Sequence, residues 1–207
     1  MVVLADNDIL LKLGACRLLD DLPRLLETTR SKLYVPPTAR FKIRGSKETL
    51  ASLYTKEGVE RALDFIEAVS ELSGDDPDGE QALLTDVEGI DAGEAVLFAE
   101  TQRFDDFRLL TGDKNSLRAL VEAPGLDATK TRLAGRVFCF EQLMLRFIDV
   151  LGFETVCRLV DPVRSCDGVL DMAFDDGAQT TQERATRYLE KRTPDDLRVA
   201  SERLLAE

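Results

Sequence analysis

Short apolar runs that alternate with helical patterns constrain the fold of this chain most strongly. Each run is too short for a buried helix and is bounded by polar residues or prolines, which is typical of buried strands. The four runs are Val2–Ala5, Leu33–Val35, Phe107–Leu110 and Arg136–Phe140. Strands that alternate with helices in this way favour an α/β sandwich with a mainly parallel sheet.

Helical spacing of apolar residues fills the segments between these strands. It predicts helices over about 9–31, 47–72, 80–88, 91–105, 114–122 and 141–151. From about residue 153 the pattern is helical only, and it predicts two last helices at Thr180–Lys191 and Pro194–Leu205, the second capped by Thr193. We therefore expect a domain over 1–150 and a helical C-terminal extension over 151–207.

Composition excludes several classes of active site. The 207 residues contain no histidine, which excludes a Ser-His-Asp triad, a Cys-His pair and any His-ligated metal. The four cysteines are too far apart in sequence for a C-x2-C motif, and we expect Cys16 and Cys139 to be buried thiols.

Hydropathy favours a soluble protein of the reduced cytoplasm. No apolar run approaches the roughly 20 residues of a membrane span. The opening residues leave no room for a signal peptide before the first strand. We expect no membrane association.

The charge is unevenly distributed. The net charge of −12 disfavours a protein that coats nucleic acid non-specifically. Residues 28–47 nevertheless contain six cations and no acid, whereas residues 64–106 are rich in acids and contain a single base, Arg103. Tyr34 and Phe41 lie within the basic stretch, a combination that suits stacking and phosphate contacts with single-stranded RNA.

Acidic residues fall where parallel sheets place functional groups. Asp6 and Asp113 follow two of the strands, Glu94 lies in the first turn of a helix, and Asp8 follows Asp6 closely. If these carboxylates converge, they repel each other and need a divalent cation. Oxygen ligands without His or Cys favour Mg²⁺ or Mn²⁺, which suit phosphodiester chemistry.

Each of the three acids also has a structural interpretation. Asp6 and Asp113 are good N-caps for the helices that follow them. Asp91 and Glu94 have the spacing of a capping box, in which both side chains bond only backbone N–H groups.

Three segments resemble the motifs of PIN-domain nucleases, over about residues 1–150. Val3-Leu4-Ala5-Asp6-Asn7-Asp8 resembles the opening strand of that family, Asp91-Ala92-Gly93-Glu94-Ala95 its Gly-Glu-Ala helix, and Leu110-Thr111-Gly112-Asp113 its Thr-x-Asp strand end. The three motifs occur in the family's order.

The resemblance implies a three-layer α/β/α sandwich and a ribonuclease dependent on Mg²⁺ or Mn²⁺. By position, Asp6, Glu94 and Asp113 would be the catalytic metal ligands, and Thr111 would support the last of them. Because the family includes toxins of toxin–antitoxin pairs, an antitoxin-like protein partner is a further expectation. The extension would then offer a surface for that partner or for a homodimer.

The sequence departs from the family at two positions. Asp8 stands where Asn is usual, which adds charge and makes it a candidate fourth ligand. Arg40 falls near the position of the family's second Glu, with Glu48 just beyond. Arg40, Lys42 and Arg44 are then candidate RNA contacts, and a catalytically silent binding module is the alternative function.

A haloacid-dehalogenase-like phosphatase is a less favoured alternative. Asp6-Asn7-Asp8 also resembles the first motif of that family, with Asp6 as nucleophile and Asp8 as general acid. Its late motif expects an acid shortly after Asp113, where this chain has Asn115, and Lys130 is the candidate for its lysine.

Overall fold

The computed structural model describes residues 1–76, 78–193 and 204–206. Its sheet has five parallel strands in the order β3-β2-β1-β4-β5. The strands are β1 (Val2–Ala5), β2 (Leu33–Val35), β3 (Ser70–Glu71), β4 (Phe107–Thr111) and β5 (Val137–Cys139). The expectation of an α/β fold with a parallel sheet is therefore confirmed.

Helices connect and cover these strands. They are α1 (Asn7–Ala15), α2 (Leu22–Leu25), α3 (Ala39–Gly45), α4 (Lys47–Tyr54), α5 (Lys56–Glu67), α6 (Glu80–Thr85), α7 (Ala92–Glu100), α8 (Lys114–Glu122), α9 (Asp127–Leu133), α10 (Phe140–Leu151), α11 (Phe153–Val160), α12 (Gly168–Ala173) and α13 (Gln182–Arg192). Short 3₁₀ turns occur at Leu19–Asp21, Arg30–Lys32, Thr101–Arg103, Asp161–Cys166 and Gly177–Gln179. Among the described residues, no helix combines the length and the apolar character that a bilayer span requires.

The two faces of the sheet carry separate apolar cores. Successive side chains of a strand point to opposite faces, so Val3 and Ala5 join one core and Leu4 the other. The first core lies against α1, α5 and α10, and the second against α7, α8 and α9. Helices on both faces are compatible with a three-layer α/β/α arrangement.

The strand order places a crevice beside β1. The chain builds β2 and β3 on one side of β1 and then returns to build β4 and β5 on the other. Ligands in open parallel sheets bind at such a reversal, beyond the carboxyl ends of the strands. Register places the ends of β1 and β4 side by side, because Ala5 pairs with Leu110 and the Asp6 N–H donates to the Leu110 carbonyl at 3.0 Å.

The prediction of one continuous helix over 47–72 is wrong in two respects: the helix is interrupted, and it ends before residue 72. It is two helices, α4 and α5, separated by Thr55, whose φ of +63° is left-handed. The Thr55 hydroxyl oxygen accepts the Gly58 N–H at 3.1 Å and so caps α5. Ser70 and Glu71, placed in the same predicted helix, form β3 at the sheet edge instead. Helix α9 lies in a segment for which the sequence analysis predicts no helix.

Two glycines let α1 and α5 approach closely. A β-carbon on Gly14 would stand 2.6 Å from the Gly58 carbonyl oxygen, and one on Gly58 would stand 2.9 Å from the Ala15 Cα. Both contacts are with backbone, so no rotamer change relieves them. This packing holds α1, which begins directly after Asp6, against the sheet.

The C-terminal extension shares the first core. Val156, Val160, Phe174 and Leu189 are all fully buried in the cluster that contains β1 and α1. The boundary at residue 150 stays a prediction.

The predicted last helix lies mostly outside the described residues. Its described end, Leu204–Ala206, is not helical but runs beside β5. The Val137 N–H donates to the Leu204 carbonyl at 2.8 Å, and the Ala206 N–H donates to the Val137 carbonyl at 2.7 Å.

Candidate functional site

A cavity of about 970 Å³ opens at the carboxyl ends of β1 and β4. It brings together the three acids that the sequence motifs single out, although they are far apart in the chain. Its charged lining consists of the acids Asp6, Asp8, Asp91, Glu94 and Asp113 and the bases Lys42, Lys114, Arg118, Lys191 and Arg192.

Asp6 leaves the end of β1 and begins α1. Its Oδ1 accepts the Asn7 N–H at 2.6 Å, so it caps the helix as well as lining the cavity. Burial, together with the charges of Asp8 and Asp91, raises the pKa of Asp6 to about 6. The cavity therefore disfavours the charged form of this carboxylate.

Glu94 lies in the first turn of α7 and is 7% exposed. Its Oε2 accepts the Asp91 N–H at 2.9 Å, and Asp91 Oδ1 accepts the Gly93 and Glu94 N–H groups at 2.7 and 2.8 Å. The capping box is thus present. Burial, with the charge of Asp113, raises the pKa of Glu94 to about 7.

Asp113 follows β4 and caps α8. Its Oδ1 accepts the Asn115 and Ser116 N–H groups at 2.7 and 3.2 Å. Thr111, which is 2% exposed, accepts the Asp113 N–H on its hydroxyl oxygen at 3.1 Å. Thr111 therefore fixes the backbone of Asp113, as expected of a supporting residue.

Asp8 lines the cavity but is bound to other side chains. Its carboxylate pairs with Lys12 at 2.6 Å and accepts the Tyr54 hydroxyl at 2.9 Å. It also fills the space beside Gly112, where any β-carbon would collide with it. These contacts suit a role in packing α1 against the strand end, and the role of Asp8 as a fourth ligand stays a prediction.

The candidate RNA contacts divide into two groups. Arg40 and Arg44 both pair with Glu67 and do not line the cavity. Lys42 does line it, and its ammonium lies beside the start of α7, since a β-carbon on Gly93 would stand 3.2 Å from the Lys42 Nζ. Glu48 is exposed and does not line the cavity, so it is not placed to bind a ligand there.

The aromatic residues of the basic stretch also differ. Tyr34 packs against Phe104, with ring centroids 5.2 Å apart, and belongs to the second core. Phe41 is 74% exposed on α3, one residue before Lys42. Only Phe41 of the two therefore offers a ring to a base.

Sequence reasoning misses several lining residues. Asp91 is assigned only as a cap, although its charge helps to raise the pKa of Asp6. Lys191 and Arg192, at the end of α13, reach the cavity through the packing of the extension, which no local motif reveals.

Asn7 is also missed, and its side-chain oxygen is the least satisfied group in the cavity lining. Asn7 Oδ1 is buried and has no hydrogen-bond partner among the described residues. A buried acceptor without a partner is costly. Asn7 lies between Asp6 and Asp8 in the sequence and lines the same cavity as both.

The carboxylates have the donor chemistry of a hard-cation site, and each of them also takes part in a helix cap. Within residues 1–76, 78–193 and 204–206, no three acidic or thiol side chains stand close enough to hold a metal ion as they are. Each cap bond of Asp6, Asp91 and Asp113 uses Oδ1 and leaves a second oxygen outside the cap.

Comparison with known proteins adds no relative. No family model, no curated protein and no solved structure matches this chain.

Proposed function

We propose that this chain is a ribonuclease of the PIN-domain type that depends on Mg²⁺ or Mn²⁺, with Asp6, Glu94 and Asp113 as its catalytic carboxylates. The observation that carries the proposal is the meeting of these three side chains in one cavity. They come from two strand ends and one helix start, in the order that the PIN family uses. The parallel sheet, with helices on both faces, is compatible with that family's fold.

The chemistry of the cavity fits a divalent cation. Carboxylate and amide oxygens are ligands that Mg²⁺ and Mn²⁺ prefer, and Asn7 Oδ1 supplies an unpartnered one. Burial raises the pKa values of Asp6 and Glu94 first, and neighbouring carboxylates raise them further. A bound cation would favour the charged form of both groups. Since no three acidic side chains among the described residues stand close enough to hold a metal ion as they are, binding requires Asp6, Glu94 and Asp113 to move closer together.

In the proposed reaction, the bound cation would activate water and stabilise charge on the phosphorus oxygens. The residues of the chain hold the substrate around that centre. Lys42 lies on one side, beside the start of α7, and α8 and α13 contribute cations elsewhere on the rim. Cations on three separate helices suit contact with several phosphates of one polymer.

An RNA cleavage assay tests the proposal. Purified protein is incubated with single-stranded and structured RNA in Mg²⁺, in Mn²⁺ and in EDTA, beside Asp6→Asn and Asp149→Asn variants. Asp149 is an exposed acid on α10 that does not line the cavity, so its variant is the matched control. We expect metal-dependent cleavage by the wild type and by Asp149→Asn, and at least a 100-fold loss in Asp6→Asn, since removing one group that stabilises transition-state charge costs roughly that much. Equal cleavage by Asp6→Asn would refute the assignment.

A catalytically silent binding module is the second candidate function. The engagement of all three carboxylates in helix caps favours it, because capping alone accounts for their positions. RNA binding that is independent of metal, without cleavage, would support this alternative. The phosphatase alternative is weaker, since the Lys130 ammonium donates to the Ala123 carbonyl at 2.6 Å and does not line the cavity.

A further inference from the structure

Two of the four cysteines lie together where the extension meets α1. Cys16 follows the last residue of α1 and is fully buried, and Cys166 ends the 3₁₀ turn Asp161–Cys166 and is partly buried against the same core. Each thiol is close enough to the other to shift its pKa, upward for Cys16 and downward for Cys166. In sequence they are far apart, so only the packing of the extension brings them together.

A salt bridge fixes this neighbourhood independently of the thiols. Lys12, one helical turn before Cys16, pairs at 2.8 Å with Asp167, the residue after Cys166. Both side chains are 12% exposed. Residues four apart lie on the same face of a helix, so the Lys12–Asp167 pair brings the residue after Cys166 to the face of α1 that ends at Cys16.

The other two thiols have different surroundings. Cys139 is fully buried, and burial raises its pKa to about 12. Cys157 is buried, and its thiol donates to the Gly177 carbonyl at 3.4 Å. By contrast, the hydrogen bond from Cys16 lowers the pKa of Cys166, and the charge of Lys12 acts in the same direction. Cys166 is therefore the thiol of this chain best suited to react with an oxidant.

We propose that Cys16 and Cys166 are a redox modification site, which a hydroperoxide converts to a disulfide and a thiol reductant reopens. The Cys166 thiolate attacks the peroxide oxygen, the O–O bond breaks, and one water leaves after protonation. The Cys16 thiol then attacks the resulting sulfenic acid, forming the S–S bond and releasing a second water. Two thiols and one hydrogen peroxide thus give one disulfide and two waters.

The disulfide would tie the end of α1 to the extension. Without it, the described extension is held to α1 by the Lys12–Asp167 pair and apolar packing. A covalent link across a long loop restricts the unfolded chain, so the oxidised protein should melt at a higher temperature. This inference does not depend on nuclease activity.

Peptide mapping after peroxide treatment tests the proposal. Reduced wild-type protein is exposed to a few equivalents of hydrogen peroxide, alkylated and digested without reductant. Cys166→Ser and Cys157→Ser variants are treated in parallel. We expect the wild type and Cys157→Ser to lose the mass of two hydrogen atoms and to give one peptide pair joined through Cys16 and Cys166. Cys166→Ser should give no such pair and should keep Cys16 open to alkylation after unfolding.

The wild-type map decides the proposal even if a variant folds poorly. A linked Cys16–Cys166 peptide that a thiol reductant separates, with a melting temperature that rises on oxidation and returns on reduction, supports it. Oxidation that stops at a sulfinic acid on Cys166, a link through Cys139 or Cys157, or a disulfide between two chains would overturn it.

Discussion

Asp6 has two roles that oppose each other energetically. As the cap of α1 it stabilises the helix through the Asn7 N–H, but its charge lies in a cavity shared with Asp8 and Asp91. An asparagine keeps the cap and removes the charge. The two contributions can therefore be separated by one substitution.

We expect Asp6→Asn to stabilise the protein at high pH only. The pKa of Asp6 rises from 3.8 in the unfolded chain to about 6 in the folded protein, so the folded state binds more protons between these values. Stability from this group is therefore lost as pH rises through that window, and it is not regained above pH 6. At pH 8 the variant should gain about 1–2 kcal/mol over the wild type, and at pH 4 the gain should disappear.

Urea denaturation of both proteins across this pH range measures the difference. Asp149→Asn is the control, and its difference from the wild type should not follow the same curve. If Asp6→Asn stabilised the protein equally at pH 4 and pH 8, the gain could not come from removing the buried negative charge of Asp6.

Thr111→Val tests the support of Asp113. The substitution keeps the shape of the side chain but removes the oxygen that accepts the Asp113 N–H. We expect a loss of about 1–3 kcal/mol in the free energy of unfolding, because the Asp113 N–H would lose its hydrogen-bond acceptor. Thr111→Ser keeps the hydroxyl and should lose less. Thermal denaturation of the two variants compares them, and a smaller loss in Val than in Ser would rule out this role.

At the scale of elements, the close contact of α1 with α5 holds the start of α1 at the cavity. Gly14 and Gly58 allow the two backbones to meet, and the break at Thr55 lets α4 turn so that Tyr54 reaches Asp8. The contact is rigid because backbone atoms lie on both sides. It should tolerate no added β-carbon.

Gly14→Ala should therefore lower the free energy of unfolding by about 1–3 kcal/mol, the usual cost of overpacking. Gly45→Ala, at the end of α3, is the matched control, because a β-carbon there meets nothing within 4 Å. A helix favours Ala over Gly, so the control should be neutral or slightly stabilising. Chemical denaturation distinguishes the two, and an equal effect at both positions would contradict the close-contact account.

The sequence predicts strands better than helix boundaries in this chain. Val2–Ala5 and Leu33–Val35 have the observed bounds, because a buried parallel strand is a short apolar run that polar residues or prolines end abruptly. The break at Thr55 is missed because apolar residues keep their helical spacing on both sides of it. The backbone at Thr55 has a positive φ, which interrupts the helix. Residues Ser70–Glu71 are missed because a two-residue edge strand has no period to detect.

Local sequence patterns also limit how much of the site can be predicted. Asp6, Glu94 and Asp113 line one cavity, and strand ends and motifs mark all three in the sequence. Thr111 is marked by the resemblance to the Thr-x-Asp strand end. The roles of these residues stay predictions. The pairing of Asp8 with Tyr54, and of Arg40 with Glu67, depends on tertiary contacts that local sequence does not encode. The Asp8–Lys12 pair is local, because the two residues lie four apart on α1.

At the scale of the whole molecule, the chain end covers an edge of the sheet. Leu204–Ala206 bond to Val137 along β5 and bury Leu204 in the second core. An uncovered parallel edge would leave backbone groups open to pairing with another chain. The last residues therefore complete the sheet.

Leu204→Ala should lower the free energy of unfolding by about 2–4 kcal/mol, which is typical for the truncation of a fully buried leucine. Leu83→Ala is the control, since Leu83 is 58% exposed on α6 and should change the free energy of unfolding by less than about 0.5 kcal/mol. Calorimetry of the two variants measures this. Similar melting temperatures for both would contradict the burial of the chain end.

The central claim is that Asp6, Glu94 and Asp113 form one site for a divalent cation, and an anomalous difference map from a crystal soaked in Mn²⁺ tests it most directly. We expect one strong peak in the cavity at the carboxyl ends of β1 and β4, within bonding distance of oxygens from at least two of these three side chains. A cavity without a peak, with all three carboxylates still bonded to their own helix starts, would contradict it.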